Sequence, residues 1–135
     1  MKLHYLTPEE EQAIKSNIPW PSIDRRIREL VKYANTIDGI ATVQSCAGHI
    51  RINERGEFHI SSAHIAFYTT YKRLIEILFV AAPQIAFEDV SIRYFRDGTF
   101  WVCVECDPAE KSKLYDLFRI LKGENFDLVA SKSRR

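Results

Sequence analysis

The sequence predicts a single α+β domain, with an antiparallel-rich sheet and helices packed on it. Three observations carry that expectation. From Ala63 onward the segments read strand, helix, strand, strand, helix, strand, the βαββαβ order of a ferredoxin-like sandwich. Asp97-Gly98 separates two alternating runs, Phe87 to Phe95 and Phe100 to Cys106, which marks an antiparallel hairpin. The chain has 135 residues, 46% of them hydrophobic, the usual size of one domain with a core of its own.

Residues 1–21 read as an N-terminal helix and linker. Thr7 caps the helix, Pro8 suits its first turn, and Glu10 completes a capping box; the helix runs to about Ser16. Pro19 and Pro21 then force an extended linker. Ser22 starts a second helix, ended by Gly39. Ile23, Ile27, Leu30, Val31, Ala34 and Ile37 share one face of it, and Arg25, Arg26, Arg28, Glu29 and Lys32 form a solvated charged face.

Ile40 to Ser45 is a strand, and Ile50-Arg51-Ile52 resumes as one. Asn53-Glu54-Arg55-Gly56 turns the chain so that Phe58-His59-Ile60 returns. Pairing Ile52 with Phe58 and Ile50 with Ile60 puts four apolar residues on one face, expected to be buried. His49, Arg51, His59 and Ser61 take the other. The apolar parity changes at Ala63, Ile65 and Phe67, which calls for a bulge or bend at Ser61-Ser62. Tyr71 to about Ala82 is a helix that buries Leu74, Ile75, Leu78 and Phe79 and stops at Pro83. Asp107-Pro108-Ala109-Glu110 opens a helix to Leu121, with Leu114, Leu117, Phe118 and Leu121 inward and Gly123 as its cap. Residues 126–130 form a short last strand, and 131–135 a frayed tail. No repeat, low-complexity segment or second domain is evident.

The net charge of +1 excludes a polycation. Contact with nucleic acid would need a local basic patch, such as Arg25, Arg26, Arg28 and Lys32 or the tail Lys132-Ser133-Arg134-Arg135. Three cysteines, an odd number, suit free thiols in a reducing cytoplasm. No apolar run is long enough to span a membrane, and no secretory leader is expected.

The chemistry concentrates in Ser45-Cys46-Ala47-Gly48-His49, where one strand passes into the next. A purely structural connection would use Asn, Asp, Gly or Pro more often. Here a thiol and an imidazole stand beside a glycine that lets the backbone approach a ligand closely. The expected pocket is lined by Ser45, Cys46, Gly48 and His49, with Arg51 or His64 at its rim. Cys46, His49, His59 and His64 also invite a metal reading, but their spacing matches no metal signature, and no metal is expected. Cys46 as a nucleophile would require a base within hydrogen-bond reach, and no catalytic residue is assigned. Cys103 and Cys106 alternate within one strand, so they point to opposite faces and cannot share a zinc ion. Tyr94, Phe95, Phe100 and Trp101 suit core or dimer packing, or the stacking of bases.

Ser45-Cys46-Ala47-Gly48-His49-Ile50 resembles the Ser-Cys-Ser-Gly-Arg-Ile motif of the tRNA wybutosine-synthesising methyltransferase family. The setting is similar too: a helix over 23–37, a strand, the motif, a hairpin. Phe100-Trp101-Val102-Cys103-Val104-Glu105-Cys106-Asp107 resembles the family's later strand-to-helix segment. The resemblance covers residues 22–128. It implies a small α/β protein that uses S-adenosylmethionine to methylate a hypermodified guanosine in phenylalanine tRNA. It further implies that Ser45, Gly48 and backbone amides hold an anion or ligand, that His49 and Arg51 replace the family's arginine, and that Cys46 orders the loop. Two positions depart from the motif, Ala47 for its second serine and His49 for its arginine, and the family's other motifs have no counterpart here. The competing reading is a non-enzymatic domain that binds a small ligand or metal and self-associates through its sheet.

Overall fold

The computed structural model describes residues 7–123, with the backbone alone at 49–51 and 60. The expected strand over 126–130 and the tail lie outside the described residues. Helix α1 (Pro8–Ser16) begins as the sequence dictates: Glu10 N–H donates to Thr7 Oγ1 at 3.1 Å, and Glu10 Oε1 accepts from Thr7 N–H at 3.4 Å.

Helix α2 (Arg25–Ala34) is shorter than expected at both ends. Residues Trp20–Ser22 close into one 3₁₀ turn, and Asp24, not Ser22, caps the helix, its carboxylate accepting from Arg26 N–H at 2.9 Å. At the other end Asn35 Nδ2 donates to Val31 O at 2.7 Å and Thr42 Oγ1 at 2.8 Å, and Asn35 Oδ1 accepts from Thr42 N–H at 3.1 Å. Those bonds end the helix well before Gly39 and fasten it to the strand that follows.

Strand β1 (Ala41–Cys46) pairs with β4 (Ala63–Thr69), β4 with β6 (Phe100–Cys106), and β6 with β5 (Asp89–Tyr94), all antiparallel. The sheet order is β1-β4-β6-β5. From β4 the chain follows the expected strand–helix–strand–strand–helix course, and β1 extends the sheet beyond β4. Helices α2, α3 (Lys72–Ile85) and α4 (Ser112–Lys122) bury Leu30, Leu78 and Leu117 against Ile65, Phe67, Val102 and Val104. Phe67 and Phe118 meet edge to face, their centroids 5.7 Å apart. Among the described residues no helix is long and apolar enough to cross a membrane.

Strands β2 (His49–Ile52) and β3 (Phe58–Ser61) form a separate two-stranded ladder in the expected register, Ile52 opposite Phe58 and Ile50 opposite Ile60. The expected burial fails at its tip: Ile52 is 64% exposed and Phe58 68%. The hairpin forms a ladder separate from the larger sheet, and among the described residues nothing covers that end. The side chains of Ile50 and Ile60 lie outside the described residues. The chain leaves one ladder for the other at Ser62, and Ala63, Ile65 and Phe67 are buried as their parity requires.

Helix α3 runs through Pro83, contrary to expectation, and ends where Ala86 takes a left-handed conformation and donates its N–H to Ala82 O at 3.0 Å. The apolar stripe of Leu74, Leu78, Ala81 and Ile85 carries it past the one bond that proline removes. Phe79 lies at the margin of that stripe and is 67% exposed, not buried. The last helix also starts later than expected, because Pro108–Glu110 forms a 3₁₀ turn capped by Asp107. Gly123 closes α4 in a left-handed conformation.

Truncating Phe118, which is fully buried, removes its contact with Phe67 and leaves a cavity. Phe118→Ala is expected to cost about 3–5 kcal/mol in urea denaturation.

Candidate functional site

The motif turn is built by close packing. Gly48 sits at φ +82°, and a Cβ there would lie 2.5 Å from Pro108 Cγ and 2.7 Å from Ser61 O. Only glycine fits, since the conformation and the space both exclude a side chain. The Gly48 N–H points to Cys46 Sγ at 3.4 Å, and the Gly48 carbonyl accepts from Arg26 Nη2 at 2.9 Å. Arg26 is held in turn by Asp24, with Nη2 to Oδ2 at 2.7 Å. This hydrogen bond to Asp24 raises the Arg26 pKa, and nearby Cys46 contributes in the same direction. A guanidinium from the start of α2 therefore anchors the loop that Cys46 leads into.

Beside the turn lies a cleft of about 520 Å³. Ile14, Asn17 and Ile18 of α1 and its exit form one wall, with Ser22 and Ile23. The other wall is the outer edge of β1, Thr42 to Ser45, with His64 from β4. The β1–β4 register slips between Thr42 and Gln44, which leaves Val43 as a bulge 38% exposed at the cleft. Bulges of this kind re-aim side chains beside binding sites.

The predicted residues divide between cleft and turn. Ser45 and His64 line the cleft. Cys46 is half-buried at the end of β1, directly opposite His64 in the register, and with Gly48 of the turn it is not part of the cleft wall. His49 and Arg51 are in β2, opposite Ser61 and His59; their side chains lie outside the described residues. His59 is on the exposed hairpin, 3.5 Å from Asn53 Nδ2 and away from the cleft. Among the described residues no three His, Cys, Asp or Glu side chains converge as metal ligands.

Sequence reasoning did not single out Arg26, Pro108 or the α1 exit as parts of the site. Arg26 read as one of several solvated charges and Pro108 as a helix opener. A position that only glycine can fill signals close approach, but not which residues approach.

Cys103 pairs across to Ala66 and Ser91, whereas Cys106 packs into the helix-covered core, so the two thiols occupy opposite faces. Burial pushes the Cys106 pKa up from 9.0 to about 11, and burial raises that of Cys103 as well.

The fold defines a class, small α+β domains with a four-stranded antiparallel sheet and helices on one face. A solved protein of this class is PH1069 from Pyrococcus horikoshii, which superposes with a TM-score of 0.56 at 10% identity, over 90% of this chain and 92% of that one. The likeness shows the fold alone. No curated protein matches the sequence. The model of the Methyltransferase TYW3 family matches residues 2–134, and the chain belongs to that family of tRNA-modifying, methyltransferase-like proteins.

Two outcomes test this geometry. Gly48→Ala is expected to lower stability by at least about 1 kcal/mol in chemical denaturation, because the left-handed backbone and the Pro108 contact both oppose a methyl group. The raised thiol pKa values set a pH dependence. The contribution of Cys106 to stability is complete below pH 9 and is lost as pH rises through about 11, since the unfolded thiol ionises first, and Cys103 acts in the same direction. Urea midpoints measured from pH 8 to pH 11 should fall in that window, and a flat profile would contradict the assignment.

Proposed function

We propose that this chain is an S-adenosylmethionine-dependent tRNA methyltransferase-like protein, with its ligand in the cleft between the α1 exit and β1. The observation that carries the reading is that Ser45, the first residue of the stretch that resembles the family's motif, lines a cleft. A volume of about 520 Å³ suits a ligand of nucleoside size. Ile14, Ile18, Pro19, Ile23 and Val43 offer an apolar slot for a base. Asn17, Ser22, Gln44, Ser45 and His64 offer partners for ribose and amino-acid groups. The edge of β1 has no strand neighbour among the described residues, so backbone donors and acceptors also front the cleft.

These residues fit S-adenosylmethionine by size and by their mix of apolar and polar groups. The bound cofactor would supply a methyl group activated by its sulfonium. Arg26 and the Gly48 turn would hold Ser45 in place, and the exposed Arg25 and Lys32 of α2 give a basic approach for tRNA phosphates.

A second reading rests on His49, which stands where the resembling motif has arginine. In it the chain binds the same ligand without transferring its methyl group.

Calorimetry with S-adenosylmethionine and a transfer assay on tRNA separate the two. Ser45→Ala and His64→Ala are each expected to weaken cofactor binding about tenfold, the loss of one hydrogen bond, with little change in melting temperature. Failure of the unsubstituted protein to bind would contradict both readings. Binding without transfer would select the second.

A further inference from the structure

Strand β5 forms the far edge of the sheet, on the side away from the cleft. Among the described residues it has no second strand neighbour, and its register from Asp89 to Tyr94 contains neither proline nor bulge. Edge strands left so regular are templates for pairing.

The backbone phase is readable from the ladder. Phe95 N–H bonds inward to Thr99 O at 2.9 Å. Two-residue alternation then directs Asp89, Ser91 and Arg93 toward β6 and leaves the N–H and C=O groups of Val90, Ile92 and Tyr94 facing outward.

We propose that two copies of this chain pair antiparallel along β5, with the twofold axis at Ser91. In that register Val90 lies opposite Ile92 of the second copy, and these are the residues whose backbone groups face out. Asp89 lies opposite Arg93 of the second copy, and by symmetry the pair forms twice. Both residues are exposed. Ser91 Oγ donates to Asp89 Oδ2 at 3.1 Å, and the Arg93 guanidinium rests 5.6 Å from the Trp101 ring centroid, so each charge is already oriented. Shifting the register by two residues separates the charges and removes the Val90–Ile92 pairing.

The same edge adjoins a groove of about 470 Å³ lined by Phe79, Pro83, Phe87, Val90 and Ile92. Phe79 and Tyr94, 67% and 60% exposed, stand on this side of the sheet. Pairing at Ser91 would bring the second copy's groove against it and cover apolar surface on both chains. The self-complementary charges select a second copy of this chain as the occupant, in preference to an unrelated peptide.

Sedimentation equilibrium of the full chain across the micromolar range tests this. A dimer of twice the 15.7 kDa chain mass is expected. Asp89→Arg or Arg93→Asp alone sets two like-charge pairs across the axis and should weaken the dimer about tenfold. The double exchange, Asp89→Arg with Arg93→Asp, should restore it. A monomer at every concentration would overturn the proposal. So would a dimer insensitive to the single changes, or one that the double exchange fails to restore.

Discussion

At residue 48 the chain passes between Pro108 and the Ser61 carbonyl with less room than a methyl group needs. That constraint holds three parts of the fold in one place. Pro108 belongs to the turn leading into α4, Ser61 ends β3, and the Gly48 carbonyl receives Arg26 from the first turn of α2. The start of α2, the turn before α4 and the end of β3 therefore meet at the backbone of one glycine. The strand before it, β1, is fixed at its start by Asn35 and at its end by this turn. Between those two anchors it presents Thr42 to Ser45 to the cleft.

The charge arrangement follows from the same geometry. Arg26 is occupied twice, by Asp24 and by the Gly48 carbonyl, so it acts as a brace rather than as a free cation for phosphate. Among the described residues the cleft lining contains no acidic side chain and only His64 as a titratable group. Its chemistry is that of hydrogen bonding and apolar contact, the kind that orients a ligand rather than one that activates a strong nucleophile.

Much of this was legible in the sequence, and the failures have physical causes. Local signals worked where chemistry is local: Thr7 with Glu10, the pairing of Ile52 with Phe58, the parity switch at Ala63, and the opposed faces of Cys103 and Cys106. Burial at Ile52, Phe58 and Phe79 was misjudged because it depends on what lies across from a face, which periodicity does not encode. Pro83 was read as a stop because the packing that carries α3 past it is tertiary. Ser45 and His64, named from their types alone, do line the cleft. Asn17, Ser22 and the rest of the opposite wall could not be named that way, since their only link to β1 is proximity after folding.

The central claim is that the cleft between the α1 exit and β1 is the cofactor site. Amide chemical shifts recorded while S-adenosylhomocysteine is titrated into the labelled protein test it most directly. The account predicts that the largest changes fall on Asn17, Ser22, Gln44, Ser45 and His64, with the β5 edge unaffected. Changes centred on the hairpin tip at Asn53 and His59, or on the Phe79 groove, with none along β1, would contradict it.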